Sequence, residues 1–295
     1  MNSDEIMQSI RATVNRRSFL KSVGGTTAAM AAMAAAPQLL LAEDKDENGD
    51  DEKKPKSPDT PAQIFTAALI AEDLATTFYY QGLIGKVIQD VNLSGPGGTA
   101  TNVTSAGSAS NVGYIRAALS EEIAHANLFR TLLGGSSAGT DPYQTFYFAN
   151  GVFDSLTPFI ATLEALENAF IGAYLAAVQE FSLLASIGEP RSFNGTRYKP
   201  SDFAYFAKVS ASILGVESEH RALGRAIVPT IIPANQLNYE QTDGITSVFN
   251  GKTSAAAALT PFLGPASGTI GYSLSVALAN ASSVTLPTTG GLPPE

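Results

Sequence analysis

The feature that most constrains this chain is a set of acids and histidines repeated at one offset. Glu72 and Glu167 lie 95 residues apart, as do Glu122 and Glu217, and His125 and His220. The chain has only two histidines, and each follows a glutamate by three residues, in Glu122-Ile123-Ala124-His125 and Glu217-Ser218-Glu219-His220. In a helix, positions i and i+3 share a face, so each carboxylate and its imidazole point the same way. Tyr79 and Tyr174, Leu119 and Leu214, Leu128 and Leu223, and Arg130 and Arg225 keep the same offset. Two related helical hairpins fold naturally into a bundle with a pseudo-two-fold axis, near which equivalent residues meet as pairs. Four carboxylates and two imidazoles would then converge in the core. Buried carboxylates without partners are costly and cannot all remain ionised together, whereas two divalent cations would neutralise them.

The spacing of apolar residues and the end signals place four long helices around this set. Thr60-Pro61-Ala62-Gln63 has the N-cap, the first-position proline and the third-position glutamine of a helix start. The first helix is expected to run to about Val91, with Ile64, Ala68, Ala71, Ala75, Phe78 and Tyr79 on one face. A Gly/Ser/Thr/Asn connection over 93–110 precedes a second helix from about Asn111 to Leu133, stopped by Gly134-Gly135. Residues 134–157 look non-helical and carry Tyr143, Phe146, Tyr147 and Phe148, which we expect to cover the core during a long crossover. The third helix starts at Thr157-Pro158 and ends near Gly188; the fourth starts after Ser201 and ends at Pro229. The fold class is therefore all-α, a four-helix bundle with a long crossover between the second and third helices. The bundle is assigned to residues 61–233. Residues 234–295 form a C-terminal extension with at most one short helix, within Gly251–Leu263, and a surface-hugging or partly disordered tail from Ser267.

The offset selects among neighbouring acids. Glu121, Glu164 and Glu219 fall outside the paired pattern and are set aside as solvated acids or acids that support a ligand. Tyr79 and Tyr174 follow Glu72 and Glu167 by two turns. They either hydrogen-bond the ligand carboxylates or are core tyrosines with satisfied hydroxyls. For Arg130 and Arg225, near helix ends, interaction with the helix dipole or with surface acids is the simpler explanation.

Composition narrows the chemistry. A formal net charge of -9 argues against nucleic acid and anionic membrane surfaces as partners. With no cysteine, disulfides, thiolate zinc sites and iron–sulfur clusters are excluded, and any metal must be held by oxygen and nitrogen, which suits iron, manganese or zinc. At the N-terminus, Asn15-Arg16-Arg17-Ser18-Phe19-Leu20-Lys21 followed by an uncharged Ala/Gly-rich run to Ala42 resembles a bacterial twin-arginine export signal. Leu40-Leu41-Ala42 offers a cleavage site, an uncleaved membrane anchor being the alternative. We assign residues 1–42 to the signal and the charged, proline-bearing residues 43–60 to a disordered linker.

The ligand pattern and its context resemble the ferritin-like superfamily, in which a Glu from each of two helices and a Glu-x-x-His from each of two others hold a metal pair. More narrowly, Ala71-Glu72-Asp73-Leu74-Ala75-Thr76-Thr77-Phe78-Tyr79-Tyr80, Leu166-Glu167-Asn168-Ala169-Phe170-Ile171-Gly172-Ala173-Tyr174 and both Glu-x-x-His segments are similar to the bacterial ferritin-like domain family that includes plant desiccation-related proteins. The resemblance covers about residues 60–265. It implies a metal site made by Glu72, Glu122, His125, Glu167, Glu217 and His220. Two metal ions are expected, iron first and manganese second, in an oxidoreductase acting on Fe(II) with oxygen or peroxide. A manganese catalase-like dismutation of peroxide and a non-catalytic, metal-stabilised stress protein remain the alternatives. A storage cage fits less well, because the long tether and the Ser/Thr/Pro-rich tail would crowd it. The expected partners are a small oxidant and the twin-arginine translocation machinery, with a homo-oligomer left open; the expected location is periplasmic or extracellular.

Overall fold

The computed structural model describes residues 58–85, 87, 111–135, 137–193, 195–227 and 244–284. The segments expected to be an export signal and a linker, up to residue 57, the connection over 93–110, the approaches to Val91 and Pro229, and the tail beyond 284 lie outside the described residues.

Helix α1 spans Pro61–Ile84, and its start follows from its first residues. The Thr60 hydroxyl accepts from the Gln63 backbone N–H, and the Gln63 side chain accepts from the Thr60 N–H at 2.9 Å. These two bonds satisfy donors that the first turn cannot satisfy internally. The helix ends well before Val91. At Gly85 the backbone turns extended, and a Cβ there would sit 2.8 Å from the Gln81 carbonyl oxygen. Helix α2 spans Asn111–Leu132 and closes at Gly134 and Gly135, both with positive φ, as the Gly135 N–H bonds back to the Arg130 carbonyl at 2.8 Å. Helix α3 spans Leu156–Ser186, and α4 spans Pro200–Ile227.

The helices pair as two antiparallel hairpins, α1 with α2 and α3 with α4, laid against each other. The core has two apolar halves. One is built around Phe78, Leu119, Phe159 and Leu163, the other around Phe65, Phe129, Phe181 and Phe206. Along each helix the membership switches from one half to the other near its middle, and Glu72, Glu122, Glu167 and Glu217 stand at those switch points. The acids thus occupy a seam sealed at both ends by large apolar side chains.

The extension is irregular overall, as expected, but holds more than the one short helix expected of it. In the crossover, strand β1, Thr145–Ala149, buries Phe146 and Phe148. Its antiparallel partner comes from the far end of the chain: strand β4, Thr269–Ser273, with Thr145 opposite Ser273. Between α3 and α4 lies a small hairpin of β2, Arg191–Phe193, and β3, Thr196–Tyr198. The extension contributes two α-helices, α5, Ala255–Leu259, and α6, Leu274–Asn280, both packed on α1. Leu259, Phe262, Leu274 and Ala277 are buried there. The correction has a physical cause: α1 is apolar on nearly every side, and these elements cover the face that the other three helices leave open. A polar clasp fixes the cover, with the Phe249 N–H donating to Asp59 at 2.6 Å and the Val248 N–H to Glu180 at 3.0 Å.

Candidate metal centre

The six residues that repeat at the common offset come together in the bundle core. Glu72 sits at mid-α1 and Glu167 on α3, while α2 and α4 each present a glutamate and, one turn later, a histidine. They form two clusters: Glu72, Glu122, His125 and Glu217 in one, and Glu122, Glu167, Glu217 and His220 in the other, with the candidate ligand atoms of each cluster within 4.8 Å of one another. Glu122 and Glu217 belong to both clusters, so each can offer one oxygen to either side. His125 Nδ1 lies 3.3 Å from Glu72 and 3.5 Å from Glu217, and His220 Nδ1 lies 3.0 Å from Glu122 and 3.4 Å from Glu217. Both imidazoles thus turn the same nitrogen toward the shared acids.

All four carboxylates are buried, and burial pushes the Glu72 and Glu167 carboxyls well above the usual carboxylate range, against the pull of the adjacent histidines. Burial acts the same way on Glu122, but the adjacent His125 and His220 imidazoles outweigh it and hold that carboxyl below the usual range. Burial alone would lower both imidazoles. Glu72 reverses this at His125, and Glu121 and Glu122 reverse it at His220, so both rise well above 6.5.

The residues present fit a pair of cations. Both oxygens of Glu122, both of Glu217, one of Glu167 and Nδ1 of His220 are buried with no hydrogen-bond partner. Buried polar groups are ordinarily satisfied, and orphans concentrated in one seam, all facing inward, are what ligands to an ion look like without it. The donor set of carboxylate oxygen and imidazole nitrogen is compatible with iron, manganese or zinc.

The surrounding residues decide several open alternatives. Tyr79 donates to Glu167 at 2.6 Å, and Tyr174 donates to Glu72, so each tyrosine bridges from its own hairpin to the other hairpin's acid. Burial, and then the neighbouring carboxylates, push both phenols well above their usual value. Glu219 is exposed. Glu164 is neither solvated nor a partner of the cluster: it is buried and paired with Arg225 at 2.6 Å. Arg130 stands in the last turn of α2, as expected, but its acid partners are not at the surface. It is buried, pairing with Asp73 at 2.5 Å and Asp141 at 2.8 Å, and both of those acids are buried too. Glu121, set aside from the six, reaches His220 Nε2 at 2.9 Å. Its position beside Glu122 was visible in the sequence; its contact depends on the facing helix and was not.

A family model described as a ferritin-like domain matches residues 60–187, from the cap of α1 to the end of α3. That stretch contains Glu72, Glu122, His125 and Glu167, whereas Glu217 and His220 lie beyond it on α4. No curated protein and no solved structure matches the chain. The fold is an all-α four-helix bundle with an added C-terminal extension, and its stretch from 60 to 187 is similar to a ferritin-like domain. Its buried Glu/His cluster is compatible with binding metal ions.

Proposed function

We propose that the chain is an exported di-metal carboxylate protein, with iron as the favoured metal, acting as an oxidoreductase on Fe(II) with oxygen or peroxide. The observation that carries this reading is the pair of four-residue clusters sharing Glu122 and Glu217. In this reading Glu72 and His125 would hold one ion and Glu167 and His220 the other, with Glu122 and Glu217 available to both. Two iron ions so held would supply one-electron redox chemistry toward oxygen or peroxide. The chain's own part is to fix the ligands: the Tyr79 and Tyr174 hydroxyls orient Glu167 and Glu72, and the apolar halves above and below exclude water. His125, whose side chain is 13% exposed against 4% for His220, marks the side nearer solvent. Export through the twin-arginine route, to the periplasm or beyond, is supported by the Arg16-Arg17 segment and suits a protein that folds around its metals before translocation.

Metal analysis of protein purified from an exporting host tests the reading. About two ions per chain are expected, one for each cluster. A chain that carries none and takes up none overturns it. An oxygen-dependent absorbance change on adding Fe(II) supports the iron chemistry; rapid oxygen release from peroxide by a manganese-loaded protein moves the assignment to the catalase-like alternative.

A further inference from the structure

The repeat breaks at one place that touches the cluster. Glu121 lies beside Glu122 on α2, and its carboxylate accepts from Nε2 of His220 at 2.9 Å. The position 95 residues later is Val216, which has no acceptor to offer His125. Among the described residues, His125 meets acids through Nδ1 alone, whereas His220 faces the shared acids through Nδ1 and is also hydrogen-bonded to Glu121 through Nε2.

We propose that Glu121 is a positioning residue that makes the two metal positions unequal, favouring the ion held by His220 over the ion held by His125. This rests on the di-metal reading above. A carboxylate accepting a hydrogen bond from Nε2–H keeps the proton on Nε2 and so fixes the tautomer in which Nδ1 carries a lone pair, and it stops the ring from turning that lone pair away from Glu122 and Glu217. Such outer hydrogen bonds to a ligating histidine typically change metal affinity by about 10- to 100-fold. His125 lacks this restraint and is the more exposed of the two, so its ring has more freedom to lose on binding. The two otherwise equivalent halves should therefore fill in order, His220 side first.

The test is calorimetric titration of the metal-free full chain with cobalt(II), followed by visible absorption for each ion bound. Wild type should bind two ions in resolved steps. Glu121→Ala should weaken the tighter step by about 10- to 100-fold and leave the other unchanged. Glu121→Gln, which keeps an acceptor oxygen, should recover part of that loss. Val216→Glu should supply the missing acceptor to His125 and tighten the weaker step. His220→Ala should remove the same step that Glu121→Ala weakens. Glu121 is 40% exposed, so circular dichroism of metal-free Glu121→Ala should show the helix content of wild type, which separates positioning from a folding role. Two indistinguishable steps in wild type, no change in Glu121→Ala, or equal weakening of both steps overturns the assignment while leaving the metal pair intact. Absence of any cobalt binding by wild type overturns the metal pair itself.

Discussion

The hairpins α1–α2 and α3–α4 each carry three inward-facing residues in equivalent positions, one glutamate on the first helix and a Glu-x-x-His pair on the second, yet their outer surroundings differ. Helix α1 is enclosed: only Gln63, Ala68, Gln81 and Ile84 escape full burial. Helix α3, its counterpart, keeps a solvent-facing side with Leu175, Gln179, Leu183 and Ser186 exposed. The equivalent arginines follow suit, with Arg130 locked between two buried acids and Arg225 paired with one. The difference teaches that the acids and histidines are constrained by one another across the axis. Everything beyond them answers to what lies on the outside: the C-terminal cover for α1, water for α3.

The largest expected effect falls on the residues the two hairpins share. Removing either central acid, as Glu122→Ala or Glu217→Ala, should abolish binding of both ions, whereas Glu72→Ala or Glu167→Ala should spare the ion on the opposite side. Metal content per chain reads this directly. If Glu122→Ala and Glu72→Ala lost metal equally, the central role of the shared pair would be gone.

Protons offer a second way to probe the equivalence. In the metal-free protein, Glu72 and Glu167 have carboxyls raised above their usual 4.5, and both histidines are raised above 6.5. In the windows above those values the folded chain holds protons that the unfolded chain has released, so stability falls as pH rises. Glu122, held low, acts oppositely: its contribution is present above 4.5 and is lost as pH falls through its folded value. With four raised groups against one lowered, the metal-free protein should melt lower at about pH 8 than at about pH 5. Metal ions replace those protons, so the melting gap between loaded and metal-free protein should widen with pH, and metal should be lost in acid. Thermal melts across this range check the sign. A metal-free protein that gains stability toward pH 8 would contradict it.

The arginines should differ by less. Arg130→Ala strands Asp73 and Asp141 in the core, and uncompensated buried charge costs about 3–5 kcal/mol. Arg225→Ala strands Glu164 alone and should cost less. Urea denaturation of the metal-free variants measures both, and equal losses would erase the contrast between enclosed and open hairpins.

How much of this was legible in the chain follows from the range over which each signal acts. The acid–histidine set was readable because i,i+3 spacing and a constant offset are local facts that need no tertiary knowledge. The start of α1 was readable for the same reason, since Thr60, Pro61 and Gln63 cap within one turn. The pairing of β1 with β4 was not, because Thr145 and Ser273 stand far apart in sequence and no local signal joins them, and Thr269–Ser273 holds a glycine and only one β-branched apolar residue. Asp73 and Asp141 were not singled out either. Nothing in a single sequence links Asp141, on a crossover, to Arg130 on a helix. Glu121 and Val216 mark the limit most clearly. A repeat shows which positions agree, and the importance of a position where it disagrees emerges only when the facing helix is in place.

The smallest expected effects lie where helices touch through glycine. A Cβ at Gly82 on α1 would fall 2.4 Å from the Phe159 ring, and one at Gly224 on α4 would fall 2.4 Å from Leu163 Cδ2. The obstacles differ in kind. Phe159 is stacked on Phe78, with ring centroids 4.7 Å apart and planes 1° from parallel, and it is also packed by Phe153, so it has nowhere to turn. The Leu163 methyl is the end of a flexible side chain that can change rotamer. Gly82→Ala should therefore destabilise by about 1–3 kcal/mol through overpacking, beyond what the better helix propensity of alanine returns. Gly224→Ala should lie near neutral, with the propensity gain of up to about 1 kcal/mol offsetting the shift of one methyl. Chemical denaturation of the two variants compares them directly. A Gly224→Ala loss as large as that of Gly82→Ala would mean that the α3–α4 contact is as unyielding as the enclosed α1 contact, and that the hairpins are more alike in packing than their surfaces indicate.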